Sequence, residues 1–227
     1  MVGDNLKSLY AKLPSAVKLV AVSKFHPVER LMEAYEAGQR VFGENRPQEL
    51  AAKVPQMPSD VEWHFIGHLQ TNKLKFVLPY AAMVQSVDSF HLLEAIDKWG
   101  RDNDKVIDIL LELHLGAEET KHGFSEEEIL TLVKEAGEGI PSPAERFHHV
   151  RIRGLMGMAT NTEDEGVIEG DFARIEELFK RIRAEFPALA ETFTELSIGM
   201  SGDWPLAVRH GATMVRIGTD IFGPREY

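Results

Sequence analysis

The sequence has 227 residues, of which 44% are hydrophobic and 27% are charged, and its formal net charge is −11. This composition supports a full apolar core, and we expect a single domain over residues 1–227. With 25 basic against 36 acidic residues and no basic block, we expect neither a nucleic-acid-binding surface nor an anionic-membrane surface. Cysteine is absent, which excludes disulfides and thiolate metal sites. No apolar run approaches the roughly 18 residues of a membrane span, so we expect a soluble cytoplasmic protein.

The predicted elements alternate between strand and helix along the chain. After a first helix within residues 1–12, short apolar runs predict eight strands, at Leu19–Lys24, Val41–Asn45, Glu62–Gly67, Met83–Asp88, Val106–Leu115, Arg151–Ala159, Thr194–Met200 and Met214–Phe222. Helices are predicted to open near Pro27, Pro47, Asn72, Ser89, Ser125, Gly166 and Trp204. Ser89 is a plausible N-cap, and Ser125 with Glu128 forms a capping box. Eight such units predict a closed parallel (β/α)₈ TIM barrel, with a doubly wound open sheet as the structural alternative.

The first strand ends in a single lysine, Lys24. Alternation places Lys24 on the same face as the core residues Val20 and Val22, at the carboxyl end of the strand, where α/β folds bind ligands. Two interpretations are open. The side chain either packs its stem on the core and extends its ammonium to water, or it is partly desolvated and attacks a carbonyl to form a Schiff base.

The segments that end the seventh and eighth strands predict a phosphate site. TIM barrels often bind phosphate with the loops after these two strands. Here Ser201 and Thr219 supply hydroxyls, and Gly218 permits close backbone approach, although each glycine taken alone also fits an ordinary turn. Arg216 lies on the predicted inner face, and a buried guanidinium needs a partner. A reactive lysine and a phosphate site at one barrel mouth fit pyridoxal 5′-phosphate (PLP).

Six ordered motifs resemble the YggS/PROSC family of pyridoxal phosphate homeostasis proteins. They are Ala21–Lys24, Phe42–Asn45, Trp63–Gly67 with Leu69–Gln70 and Asn72–Lys73, Arg153–Met156, Ser197–Ser201 and Met214–Gly223. The resemblance runs from the first strand to the C-terminus. It implies a single barrel similar to the N-terminal domain of alanine racemase, which is the fold of type III PLP proteins.

The resemblance also implies roles for individual residues. Lys24 is expected to hold PLP as a Schiff base. Ser201, Gly218 and Thr219 are expected to hold the phosphate, Arg216 to face the pyridine nitrogen, and Asn45 and Met200 to line the pocket. His64 is expected either behind the site or as a hydrogen-bonded core histidine.

A permanent cation beside the pyridine nitrogen weakens the ring as an electron sink, and racemases compensate with two opposed bases. None of the four tyrosines falls at the carboxyl end of a predicted strand: Tyr10 and Tyr35 lie on helices, Tyr80 follows one, and Tyr227 is the last residue. We therefore expect no catalytic residues and no efficient racemisation. The leading hypothesis is a monomeric binding protein that takes up PLP, buffers it and delivers it to PLP-dependent client enzymes.

Two alternative enzyme classes stay open. The chain could be a PLP-dependent racemase-type enzyme, or a Schiff-base aldolase that acts on sugar phosphates without PLP. A zinc site is not expected, because neither His64 with His68 nor His148 with His149 is placed to converge on one ion. Lys121 follows the fifth predicted strand, and we hypothesise that it accepts or relays PLP at the surface.

Overall fold

The computed structural model, which describes residues 1–116, 122–134 and 147–224, is a closed barrel of eight parallel strands. This confirms the predicted (β/α)₈ fold and excludes the open sheet. Each strand pairs with its neighbour in chain order, and the last pairs with the first. The strands are β1 Lys18–Val22, β2 Val41–Glu44, β3 Glu62–Phe65, β4 Met83–Val87, β5 Ile107–Leu113, β6 Val150–Gly157, β7 Glu195–Ser197 and β8 Met214–Ile217.

Helices cover the outside of the barrel. In the described ranges they are α1 Val2–Tyr10, α2 Val28–Glu36, α3 Pro47–Lys53, α4 Phe90–Asp102, α5 Glu126–Lys134, α6 Glu165–Glu185, α7 Pro187–Ala190, α8 Trp204–Arg209 and α9 Thr219–Phe222, with 3₁₀ turns at Val54–Gln56 and Thr71–Phe76. None of the helices in these ranges is both long and apolar enough to cross a bilayer.

The apolar side chains form two cores. The larger core lies between the strands and the surrounding helices and includes Phe42, Phe65 and Phe172. A smaller cluster fills the barrel interior, where alternate residues of the strands meet, and consists of Val20, Met83, Leu110, Met156 and Met214. The interior also holds buried polar side chains, namely His64, Gln85, Ser197 and Arg216, which are joined by hydrogen bonds.

Most predicted elements are present, with shorter strands than expected. The Ser89 cap is confirmed, since its hydroxyl accepts a hydrogen bond from the N–H of Leu92 at 3.4 Å. The prediction that the eighth strand continues to Phe222 is wrong. The strand ends at Ile217, and Thr219–Phe222 forms α9. This helical turn buries the side chains of Ile221 and Phe222 in the core between the strands and the helices.

Gly154 allows β6 and β7 to approach each other closely. Its φ angle is +153°, a conformation that side chains with a Cβ rarely adopt, and a Cβ there would lie 1.7 Å from the carbonyl oxygen of Glu195. Gly154 also pairs with Leu110 of β5, so it lies in the middle of three strands. Only glycine fits this position.

Gly154→Ala should lower the free energy of unfolding by at least about 2 kcal/mol, because it adds both backbone strain and a clash with Glu195. Urea unfolding followed by circular dichroism would measure it. Gly170→Ala is the matched control, since a Cβ on this exposed residue of α6 meets nothing within 4 Å. It should stabilise the protein by about 0.5–1 kcal/mol. Equal effects of the two variants would contradict this account.

A buried ion pair ties α3 to the carboxyl ends of β1 and β2. The Nζ of Lys53 donates to Glu44 Oε1 at 2.6 Å and to the carbonyl oxygen of Ser23 at 2.9 Å. The hydroxyl of Ser23 donates to the same Glu44 oxygen at 2.7 Å. Burial raises the pKa of Glu44, and Lys53 and Ser23 only partly oppose this effect. The cluster therefore fixes the backbone directly before Lys24 and depends on the charge of Lys53.

Lys53→Met should lower the free energy of unfolding at pH 7.5 by about 3 kcal/mol, because Glu44 then lacks its cation. The loss should be smaller at pH 5. The folded-state pKa of Glu44 lies above the unfolded one, so the protonated group favours folding at low pH and this benefit disappears as pH rises. Urea titrations at both pH values test this. The double variant with Glu44→Gln should recover most of the stability and lose the pH dependence; an unchanged deficit would refute the charge argument.

Candidate functional site

The seven residues predicted to contact a cofactor lie around one cavity of about 530 Å³ at the carboxyl end of the barrel. They are Lys24, Asn45, Met200, Ser201, Arg216, Gly218 and Thr219. Four of them follow β1, β2 and β7, Arg216 lies on β8, and the last two follow β8. The first and the last of the seven are 195 residues apart in the chain (219 − 24 = 195). The barrel therefore brings the predicted set together, while the role of each residue toward a ligand stays a prediction.

Lys24 lies two residues beyond the end of β1, in a tight turn. The next residue, Phe25, has a φ angle of +66°, which is unusual for a bulky side chain. Its N–H donates a hydrogen bond to Glu49 Oε2 at 3.0 Å, and the N–H of His26 donates to the carbonyl oxygen of Ser23 at 3.1 Å. These bonds hold the chain reversal, and Lys24 is half-buried in the cavity wall.

The loops after β7 and β8 form the adjoining wall. Gly199 has a φ angle of +92°, and a Cβ there would lie 2.6 Å from the Cβ of Ala207, so the loop packs tightly against α8. The carboxylate of Asp203 accepts a hydrogen bond from the N–H of Met200 at 2.5 Å, which closes this loop. Ser201 then lies on the cavity together with Thr219 of the neighbouring loop. Two hydroxyls beside glycine-containing loops suit an oxyanion ligand.

Arg216 is 4% exposed and lies on the floor of the cavity. Its Nη1 donates to the carbonyl oxygen of Ser197 at 2.7 Å and to the hydroxyl at 2.6 Å, and its Nη2 donates to the carbonyl oxygen of Gly157 at 2.9 Å. Burial lowers its pKa to about 10, opposed by the charges of Glu112 and Asp203. The guanidinium therefore remains a cation at neutral pH, and its direct partners are neutral oxygens.

A chain of hydrogen bonds continues from this guanidinium toward the other end of the barrel. Ser197 Oγ donates to Gln85 Oε1 at 2.6 Å, and Gln85 Nε2 donates to His64 Nδ1 at 2.7 Å. His64 Nε2 donates to Glu62 Oε1 at 2.8 Å, and Lys18 Nζ donates to the same oxygen at 3.3 Å. Every donor from the guanidinium to Glu62 points the same way, which requires a neutral His64 with its proton on Nε2.

The electrostatics agree with this hydrogen-bond pattern. Burial lowers the pKa of His64, although Glu62 opposes the shift, so the imidazole is neutral at pH 7. The hydrogen bond from His64 lowers the pKa of Glu62 to about 2. His64 is fully buried and is not among the described residues that line the cavity. The two sequence interpretations of His64 are thus compatible: it is a hydrogen-bonded core histidine, and it reaches the site through Gln85 and Ser197.

Glu112 is a cavity residue that the sequence analysis missed. It is buried near the end of β5, and its pKa is raised to about 7 by burial and by the charge of Asp88, against the effect of Arg216. Alternation along β5 places Glu112 on the same face as Leu110, whose side chain belongs to the cluster in the barrel interior. The available signal was the acidic residue that interrupts the apolar segment Ile109–Leu113 near the carboxyl end of the strand.

Three of the four tyrosines lie away from the cavity. Tyr10, Tyr35 and Tyr80 are not among the cavity-lining residues of the described ranges. Lys121 and Tyr227 fall outside the described residues. Accordingly, the cavity as described holds one lysine and no tyrosine.

The two histidine pairs considered as zinc ligands do not converge. His64 is enclosed in the barrel, whereas His68 lies at the mouth and bonds Asp88 at 2.9 Å through Nδ1. His148 and His149 precede β6, at the opposite end of the barrel from the cavity.

Comparison with known proteins identifies the family. The model of the alanine racemase N-terminal domain matches residues 2–226. The pyridoxal phosphate homeostasis protein of Haemophilus influenzae is 37% identical over 216 residues, which are 94% of this chain and 87% of that protein. The Pasteurella multocida protein of the same name is 38% identical over 222 residues, or 96% of this chain and 91% of that protein.

A solved structure supports the same family assignment. PipY of Synechococcus elongatus, with PLP bound, superposes with a TM-score of 0.87 at 35% identity and covers 98% of this chain and 100% of its own. The predicted resemblance is therefore confirmed. The chain belongs to the YggS/PROSC family of pyridoxal phosphate homeostasis proteins, whose barrel is the alanine racemase N-terminal domain.

Proposed function

We propose that this protein binds PLP in the cavity at the carboxyl end of the barrel and serves PLP homeostasis by storing the cofactor and delivering it. The observation that carries the proposal is the convergence of all seven motif residues on one cavity. The PLP bound to PipY and the names of the curated relatives support the same ligand. We further propose that the protein acts as a single domain over residues 1–227, as a monomer in the cytoplasm.

The residues present fit this cofactor. PLP supplies an electrophilic aldehyde on an aromatic ring that also carries a phosphate. Lys24 offers the amine for a Schiff base, and Ser201 and Thr219 offer hydroxyls for the phosphate beside Gly218. The guanidinium of Arg216 has five N–H donors, and its three bonds to protein oxygens leave two for a ligand. We assign Arg216 to the ring nitrogen by family resemblance.

Two features favour storage and delivery over turnover. Arg216 is a cation at neutral pH, and a cation at the ring nitrogen disfavours the protonation that makes PLP a strong electron sink. Racemisation also needs a second base opposite the lysine, and the described part of the cavity contains no tyrosine. We infer that bound PLP is held in a form suited to release to client enzymes.

A PLP-dependent enzyme of the racemase class is the second candidate. Glu112, His68, His114 and His122 line the cavity, and each is a side chain that can exchange protons with a bound substrate. Such an enzyme would use one of these residues in place of a tyrosine. Turnover measurements separate the two candidates.

The wild-type protein mixed with PLP should develop a visible Schiff-base absorbance band, which Lys24→Ala should abolish because no other amine is expected to react in the cavity. Borohydride reduction followed by peptide mass spectrometry should find the trapped adduct on Lys24. Lys7→Ala, a change at an exposed lysine of α1, should behave as the wild type. A wild-type protein without a band, or an identical adduct in Lys24→Ala, would refute the proposed attachment.

The PLP-loaded protein should restore activity to a cofactor-stripped aminotransferase, while its own racemisation of amino acids stays at the level of Lys24→Ala. The physical reason is that release needs only exchange of the Schiff base, whereas racemisation needs a second base. Chiral chromatography measures the racemisation. Racemase turnover that is lost in both Lys24→Ala and Glu112→Gln would instead establish the enzyme.

A further inference from the structure

Three side chains at the mouth of the cavity converge on one point. We call His68, Asp88 and His122 the mouth cluster. His68 follows β3, Asp88 directly follows β4, and His122 follows β5, so the cluster joins three successive loops at the carboxyl end of the barrel. None of these residues belongs to the set assigned to PLP, and the sequence analysis did not bring them together.

Their ligand atoms are close enough to share one ion. His68 Nδ1 lies 2.9 Å from Asp88 Oδ2, and His122 Nδ1 lies 3.9 Å from the same oxygen. One ligand atom from each of the three residues lies within 4.8 Å of the other two. Zinc holds nitrogen and oxygen ligands at about 2.1 Å, so ligands in a tetrahedral site are about 3.4 Å apart. The two separations lie on either side of this value, so side-chain rotation is needed to reach the tetrahedral geometry.

Asp88 is held in place by its neighbours, whereas the histidines need one adjustment to bind an ion together. The imidazole rings of His68 and His122 are stacked, with centroids 4.1 Å apart and 17° between their planes, so one ring must turn for both nitrogens to face the same ion. Both side chains are exposed, by 45% and 62%, which leaves room for this rotation. The side chain of Asp88 is 7% exposed, and its other oxygen accepts a hydrogen bond from the hydroxyl of Ser89 at 3.1 Å. Such a neighbouring hydrogen bond orients a carboxylate that binds metal.

We propose that the mouth cluster binds one divalent first-row transition-metal ion, with zinc as the reference ion. Two imidazole nitrogens and one carboxylate oxygen suit zinc, and three protein ligands leave a coordination position for water or another ligand. Because His68 and His122 line the cavity wall, that position lies at the entrance to the cavity. The site does not depend on Lys24 or on bound PLP.

The test is calorimetric titration of the protein with Zn²⁺, using cofactor-free protein that carries no histidine tag. The wild type should bind one ion. His68→Ala, His122→Ala and Asp88→Asn should each weaken binding by at least about tenfold. His148→Ala is the matched control, since it removes an exposed histidine at the other end of the barrel and should leave binding unchanged. Circular dichroism verifies that each variant is folded; the two exposed histidine changes should not disturb the fold.

Lys24→Ala should bind Zn²⁺ as the wild type does, so a failure of the PLP proposal leaves this result intact. Substitution with Co²⁺ should give the visible absorbance of a four-coordinate site, and His122→Ala should remove it. The proposal is overturned if the wild type does not bind Zn²⁺. It is equally overturned if His68→Ala and His122→Ala bind the ion as tightly as His148→Ala.

Discussion

The burial of one guanidinium organises the interior of this barrel. An arginine can occupy a site that is 4% exposed only if hydrogen bonds replace the water it loses, and Arg216 obtains them from Ser197 and Gly157. The oxygen atoms of Ser197 must in turn be positioned, which Gln85 achieves from across the barrel. These hydrogen bonds in the barrel interior therefore depend on one another, and replacing one residue alone would leave a buried donor or acceptor without its partner.

The interior polar chain and the Lys53 cluster play complementary parts. The first fixes the cation on the floor of the cavity, and the second fixes the turn that carries Lys24 at the rim. Both work by satisfying buried charges with several short bonds, so both resist small displacements of the backbone. The proposed Schiff base of Lys24 and the proposed contact of Arg216 with the same cofactor would require these two groups at a constant separation. The surrounding apolar cores supply the rigidity that maintains it.

The alternation of strands and helices was sufficient to predict the barrel, because apolar runs of four to eight residues between helices have few other solutions. The strand ends also predicted which motif residues share one cavity, since parallel strands end at the same rim. Partners distant in the chain were beyond prediction: Ser197 and Gln85 are 112 residues apart. Alternation places Glu112 on the same face as Leu110, but its electrostatic surroundings depend on Asp88 and Arg216, which are distant in the chain.

The buried charge of Arg216 and the acidic surface of the protein have opposite effects on an anionic ligand. The protein carries a net charge of −11, so its surface repels a phosphate-bearing ligand at long range. Inside the barrel, the guanidinium of Arg216 places a positive charge at the cavity floor, and the hydrogen-bond chain leads from it to the carboxylate of Glu62 at the far end. Dissolved ions screen the outer repulsion over about 10 Å but do not enter the packed interior. Salt therefore eases the approach of the anion while leaving its attraction to the cavity floor intact, the reverse of the behaviour of proteins that attract anions with surface lysines.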